Sequence, residues 1–227
     1  MDGPNVDLLQ YERPLVNRGE VVVGVDEVGR GALAGPVTVG ALVVISDSPP
    51  PRGLNDSKLL SRTQREALVE PLTQWAEAWS LGSASASEID MWGLRVALAV
   101  AATRALDGLP LVPSYALLDG PLNILSAPGD LKLGVEPPPA LTYHSLPAMT
   151  LVKGDQRSAS IAGAAVLAKV SRDRWMSNLG DSYPDYQWGR NKGYGAGAHL
   201  AALRRHGPTP EHRKSWNLPS MQGPDAP

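Results

Sequence analysis

Apolar positions in this chain come in short runs separated by turn residues, without a long repeat. Val21–Val25 is rich in β-branched side chains, and Val37–Ile45 forms a second such run. That composition favours strands buried on both faces. We place the first strand at about Val21–Asp26 and the second at Val37–Ile45, with further strands at Ala78–Ala84, Tyr115–Leu118 and Met149–Val152. Helical spacing dominates Ile89–Leu106, where Leu94, Leu98, Ala101 and Ala105 share a face. Ser61 and Gln64 have capping-box spacing, which predicts a helix from about Arg62 with a break and restart at Pro71. Ser87 with Asp90 reads as another cap, and helices are expected over Arg157–Leu179 and Ala198–Arg205. The resulting order is α/β, a mixed sheet with helices.

Turn chemistry marks the boundaries. Ser46–Gly53 is a proline-rich turn, and Pro121–Ala148 reads as an irregular loop insertion. Residues 1–19 read as a loose lead-in, 20–207 as one domain including the C-terminal helices, and 208–227 as a proline-rich tail. A chain of 227 residues is long enough for one sizeable core. It holds no cysteine, which removes disulfides and thiolate metal sites and fits a reducing, cytoplasmic setting. The start lacks the basic-then-apolar pattern of a secretory leader, and no apolar stretch reaches membrane-spanning length.

Net charge is −2, but its distribution is uneven. Residues 1–149 carry 10 Lys and Arg against 17 Asp and Glu, whereas residues 150–214 carry 11 against 5. A basic last third beside an acidic first part suits a polyanion groove next to a metal site.

Three apolar runs end alike, with an acid beside glycine: GVDE at 24–27, LLDG at 117–120 and LVKGD at 151–155. Ligands collect where strands of an open α/β sheet end, so Asp26, Glu27, Asp119 and Asp155 are candidates to converge. Taken singly, Asp119 suits a turn before glycine and Asp155 suits a helix N-cap. Together, four carboxylates without histidine or cysteine make a hard-oxygen site that prefers Mg²⁺ or Mn²⁺ to zinc. Two such ions about 3.5–4 Å apart serve phosphodiester hydrolysis. Gly29, Gly31 and Gly35 follow the first acid pair and leave the backbone open to close approach.

The stretch GVDEVGRGALAGP closely resembles the signature of bacterial ribonuclease HII, an enzyme family that cleaves RNA hybridised to or embedded in DNA. The resemblance runs over about residues 20–217. It implies a ribonuclease H-like fold with a mixed central sheet flanked by helices and a small helical C-terminal part. It places the catalytic, metal-holding acids on Asp26, Glu27, Asp119 and Asp155. It also implies that Gly29-Arg30-Gly31 contacts the ribose 2′-OH and the flanking phosphate, and that Tyr194 of Lys192-Gly193-Tyr194 senses the RNA–DNA junction. Ser57 and Lys58 of Asn55-Asp56-Ser57-Lys58 match a segment that lies along the nucleic-acid backbone. Lys153, Lys169 and Arg172 are weaker phosphate-contact candidates. Arg30 and the short N-terminal stretch favour HII over HIII, which usually has threonine at that position and an additional N-terminal domain.

The expected reaction is metal-dependent cleavage 5′ of a ribonucleotide in an RNA/DNA hybrid or in duplex DNA. Expected partners are those duplexes, with no membrane, a monomeric state and a sliding-clamp contact through the C-terminal tail. Rival readings are another ribonuclease H-like nuclease acting on DNA, and a catalytically silent nucleic-acid-binding domain. Departures from the family pattern are Ala165 where serine is frequent, Ala196 where threonine is usual, Ala198 where an acid is usual, and Trp216 closing Arg213-Lys214-Ser215-Trp216 where phenylalanine is usual. His144, His199, His206 and His212 suggest no metal cluster; His199 and His206 read as helix-surface or packing residues.

Overall fold

The structure is a computed structural model that describes residues 7–125 and 146–219. Most of the expected 121–148 insertion, His144 and the last residues of the expected tail lie outside this range.

Five strands form one mixed sheet in the order β3-β2-β1-β4-β5: β1 Val22–Val28, β2 Val37–Val44, β3 Ala78–Ala84, β4 Tyr115–Asp119 and β5 Ala148–Leu151. β1 pairs antiparallel with β2, and β2 antiparallel with β3. β4 runs parallel to β1, and β5 parallel to β4. The first strand continues two residues past the expected Asp26, because Glu27 and Val28 still pair with Val39 and Thr38.

Helices are α1 Glu12–Val16, α2 Arg62–Trp75, α3 Ala86–Asp107, α4 Ala159–Ser182, α5 Trp188–Asn191 and α6 Gly197–His206. Alternation along β1 sorts the core into two layers. Val23 and Val25 pack with Val96, Val100 and Ala101 of α3, whereas Val22 packs with Ile161 of α4. Leu42 and Val44 of β2 meet α2 through Leu68 and Leu72, and α4 through Ala162 and Val166. The helix α4 lies directly on the sheet. A Cβ on Gly24 would stand 2.2 Å from the Ser160 carbonyl carbon, and one on Gly40 2.4 Å from the Ala164 carbonyl oxygen. Small residues at both strand positions therefore let the helix backbone touch the sheet.

Several local expectations change. Pro71 does not break α2, which runs unbroken to Trp75. Pro71 and Ala67, whose carbonyl loses its helical partner, are both exposed, so water can satisfy that group. The α3 capping box is Ser85 with Glu88, two residues before the expected Ser87 and Asp90. Asp90 instead accepts from the Lys214 and Ser215 amides. Residues 7–19, expected to be loose, carry α1, whose Glu12 is fully buried. Its carboxylate accepts from the Ser158 hydroxyl and from the Ser160 amide and hydroxyl, and so caps α4 from outside. Residues 208–219, read as part of a tail, return to the domain. His212 bridges to Ala34, and both His212 and Arg213 are fully buried.

Candidate active site and metal centre

Strand parity and one tight turn build the site. Asp26 near the end of β1 and Asp119 at the end of β4 share the side-chain parity of Gly24 and Leu117, which face α4. Asp155 sits in a single 3₁₀ turn, Gly154–Gln156, between β5 and α4. Lys153 enters that turn with a left-handed φ of 57°. Asp119 is held by the Gly154 amide at 2.7 Å. One carboxylate oxygen from each of Asp26, Asp119 and Asp155 lies within 4.8 Å of the others.

That cluster is electrostatically unfinished. Burial, then repulsion from Asp119 and Glu27, pushes the Asp26 carboxyl well above the usual range. Burial raises Asp155 to about 6, opposed by the attraction of Lys58. Lys58 places its ammonium 3.3 Å from Asp155 and remains largely exposed. Close acids with too little positive charge and no nitrogen or sulfur donor form a hard-oxygen set, so the residues present fit a divalent cation.

Glu27 stands beside this trio, outside it. It occupies the alternate strand position and pairs with Arg30 at 3.3 Å. Burial raises its pKa while Arg30 opposes the rise. Asp56, which sequence reasoning left out of the site, is buried near Asp155. It accepts from the Lys58 amide at 2.8 Å and from Gln156 at 3.1 Å, and these bonds hold its pKa down against burial. The signal was present in Asn55-Asp56-Ser57-Lys58, but only the fold shows that the aspartate faces inward. Arg65 donates to the carbonyls of Ser57 and Leu60 and fixes the same turn.

Beside the acids, two loops are joined. The Gly193 carbonyl accepts from the Leu33 amide at 2.8 Å and from the Ala34 amide at 3.2 Å. A Cβ on Gly193 would stand 2.4 Å from the Ala34 carbonyl oxygen, and its φ is 83°. Both facts require glycine there. Gly29 is buried, whereas Arg30 and Gly31 are exposed. Tyr194 is half-buried with the Arg172 guanidinium 5.5 Å from its ring centroid.

Arg172 is not a surface phosphate contact. It is 1% exposed and donates to the Pro36, Lys192 and Ala34 carbonyls. Lys169 is engaged with Asp173 at 2.6 Å, and Lys192 with the Ser177 hydroxyl and Gly189 carbonyl. Lys58 and Arg30 are exposed cations paired with Asp155 and Glu27, and Lys153 is exposed two residues before Asp155.

Beneath these loops lies a neutral histidine pair. Trp188 donates to His199 Nε2, which lies 3.0 Å from His212 Nε2. His212 Nδ1 accepts from the Thr209 amide, so its Nε2 carries the proton and donates to His199. His199 Nδ1 then donates to the Tyr194 carbonyl. Burial lowers both pKa values, that of His212 to about 4. His199 is thus a packing residue, as one of the two expected roles had it, and His206 lies exposed on α6.

A mixed sheet with this strand order, carrying acids at the ends of β1 and β4 and before the long helix, defines a ribonuclease H-like, metal-dependent nuclease. The family model for Ribonuclease HII matches residues 23–218, and the chain belongs to that family. A ribonuclease HII of Streptomyces avermitilis is 44% identical over 197 residues, 87% of this chain and 77% of that one. Among solved structures, ribonuclease H2 from Pyrococcus horikoshii OT3 superposes with a TM-score of 0.63 at 24% identity, over 86% of this chain and 93% of that one. A structure of the PCNA:RNase HII complex from Archaeoglobus fulgidus gives 0.63 at 23% identity, over 89% and 98%. Among the described residues, no helix is long and apolar enough to cross a membrane.

Proposed function

We propose that this member of the ribonuclease HII family cuts the RNA strand of RNA/DNA hybrids and nicks 5′ of single ribonucleotides in duplex DNA. The observation that carries this reading is the convergence of Asp26, Asp119 and Asp155 beside the exposed Arg30-Gly31 backbone. Those three acids, with Glu27 at their edge, would hold Mg²⁺ or Mn²⁺. Bound there, two ions supply charge stabilisation at the phosphate and a nucleophile at neutral pH.

The chain's own groups do the rest. Lys58, exposed beside Asp155, suits a phosphate contact, whereas Ser57, a second expected phosphate contact, lies buried in the turn that Asp56 and Arg65 fix. Lys153 and Arg30 extend that positive rim; Lys169 and Lys192, tied into the protein, contribute charge at longer range. Backbone donors of Gly29-Arg30-Gly31 suit the 2′-OH, and the edge and hydroxyl of the half-buried Tyr194 suit the sugar at the junction. Water adds to phosphorus and the 3′ oxygen leaves with a proton, giving a 3′-hydroxyl and a 5′-phosphate.

We also assign this protein a cytoplasmic location and a monomeric state. The PCNA:RNase HII complex of the Archaeoglobus fulgidus protein supports a clamp contact here, which we assign to the C-terminal tail. The test is cleavage of a labelled DNA duplex with one ribonucleotide beside an all-DNA control, with Mg²⁺, with Mn²⁺ and with chelator. A single metal-dependent nick 5′ of the ribonucleotide, absent from the control, supports the reading. Cutting of the control would discard the sugar-reading roles of Arg30 and Tyr194.

A further inference from the structure

We propose that Arg213, backed by Arg172, is a positioning residue that aims the backbone donors of Arg30 and Gly31 at the sugar being read. The inference deepens the proposed function and rests on its assignment of 2′-OH reading to this loop.

Arg213 is fully buried, and its guanidinium is spent on main chain. Nη2 donates to the Gly29 carbonyl at 2.6 Å and the Gly35 carbonyl at 3.1 Å; Nη1 donates to the Arg30 carbonyl at 2.8 Å. Arg172 does the same for the other side of the loop, donating to the Pro36, Ala34 and Lys192 carbonyls. Neither forms an ion pair with a carboxylate among the described residues. Burying a cation without a counter-charge is costly. What the guanidinium adds is a planar fork of donors that fixes several carbonyls at once.

Fixing the carbonyls fixes the amides. In a planar trans peptide the C=O and the following N–H point in opposite directions. With the Gly29 and Arg30 carbonyls turned inward to Arg213, the Arg30 and Gly31 N–H groups in the same peptide planes turn outward. Neither amide donates to another group among the described residues, and both residues are exposed. The loop thus offers two adjacent donors at the edge of the acid cluster.

The segment carrying Arg213 is itself secured. Its amide donates to the Leu33 carbonyl at 2.9 Å, and the Gly35 amide donates to the Glu211 carbonyl at 2.9 Å. Asp90 pins the next turn by accepting from the Lys214 amide at 2.8 Å and the Ser215 hydroxyl at 2.6 Å.

The experiment measures binding without cleavage. In an Asp119→Asn background, the affinities for a duplex with one ribonucleotide and for the same all-DNA duplex are compared before and after Arg213→Lys. Loss of one well-aimed hydrogen bond predicts that the preference for the ribonucleotide duplex falls about tenfold while all-DNA affinity holds within about threefold. A folded variant with an unchanged ratio, or with both affinities lowered alike, overturns the proposal. If circular dichroism shows that Arg213→Lys does not fold, Asp90→Ala reads the same segment from outside the loop. A fall in the ratio there supports the proposal and an unchanged ratio overturns it. A parent protein that binds both duplexes equally would instead overturn the 2′-OH reading itself, and with it this inference.

Discussion

The acid cluster and the arginine-held loop are three residues apart at their closest, Asp26 and Gly29, yet they are built on opposite electrostatic plans. At the sheet end, like charges are crowded and under-neutralised, so Asp26 and Asp155 hold their protons above the usual range. In the loop, two buried cations have their donors satisfied by carbonyls that no strand uses. The first region is completed only by something that binds. The second is complete without a ligand and serves to keep its backbone in one shape. Crowded carboxylates short of positive charge therefore mark the place of chemistry, and buried cations whose donors are taken up by main-chain carbonyls mark its frame.

Substitutions should separate the two plans. Asp26→Asn is expected to lower kcat by about a thousandfold or more, a loss typical of removing a key charge-stabilising group. The same change should leave metal-free stability unchanged or raised, because it relieves the repulsion with Asp119 and Glu27. Steady-state kinetics beside urea unfolding checks both halves, and a strongly destabilised Asp26→Asn would break the comparison. Arg213→Met is expected to destabilise the protein by about 3–5 kcal/mol, since the Gly29, Arg30 and Gly35 carbonyls lose a buried charged donor. Urea midpoints measure it.

Metal should act on the first region alone. Mn²⁺ at a hundred times its dissociation constant is expected to stabilise the protein by about 2.7 kcal/mol, reversed by chelator. Asp26→Asn should lose that shift and Asp90→Ala should keep it.

Acid should pull the two halves apart. Asp155 has a folded pKa of about 6, above its ordinary 3.8, so the folded state takes up the proton first. Lowering the pH from about 6 towards 4 thus relieves repulsion and stabilises the metal-free protein, while metal binding weakens over the same window. His212 has a folded pKa of about 4, below its ordinary 6.5, so the unfolded state protonates first. Its contribution is complete above pH 6.5 and is lost as the pH falls towards 4. The two trends oppose each other in the parent. An Asp26→Asn/Asp155→Asn double variant should therefore lose stability with acid more steeply, by on the order of 1–2 kcal/mol across the window. Urea midpoints at several pH values would show it.

The smallest effect expected is at α6. Ala196 occupies its N-cap without a side-chain hydrogen bond, at a position where the family pattern has threonine. Ala196→Thr is expected to add about 1 kcal/mol of stability. A thermal midpoint that does not rise would indicate that the hydroxyl fails to reach the Ala198 or His199 amide.

The sequence by itself determined the strands, because β-branched runs bounded by glycine and proline have few other stable conformations, and β3 falls at the expected Ala78–Ala84. It determined three converging acids as well, since Asp26, Asp119 and Asp155 each follow an apolar run and strand ends meet in an α/β sheet. Only the tertiary structure decided which charges are free and which are spent. Lys169, Lys192 and Arg172 look alike as isolated cations in the sequence, but Asp173, Ser177 and the Pro36 carbonyl occupy them. Glu12 and His212 read as ordinary polar residues of a lead-in and a tail, and Asp56 and Arg213 only as members of motif segments with no partner assigned. Their partners lie far along the chain, at Ser160, Gln156, His199 and Gly29. Local patterns carry propensity and burial, whereas the partner of a buried polar group is set by long-range packing, which no window of sequence contains.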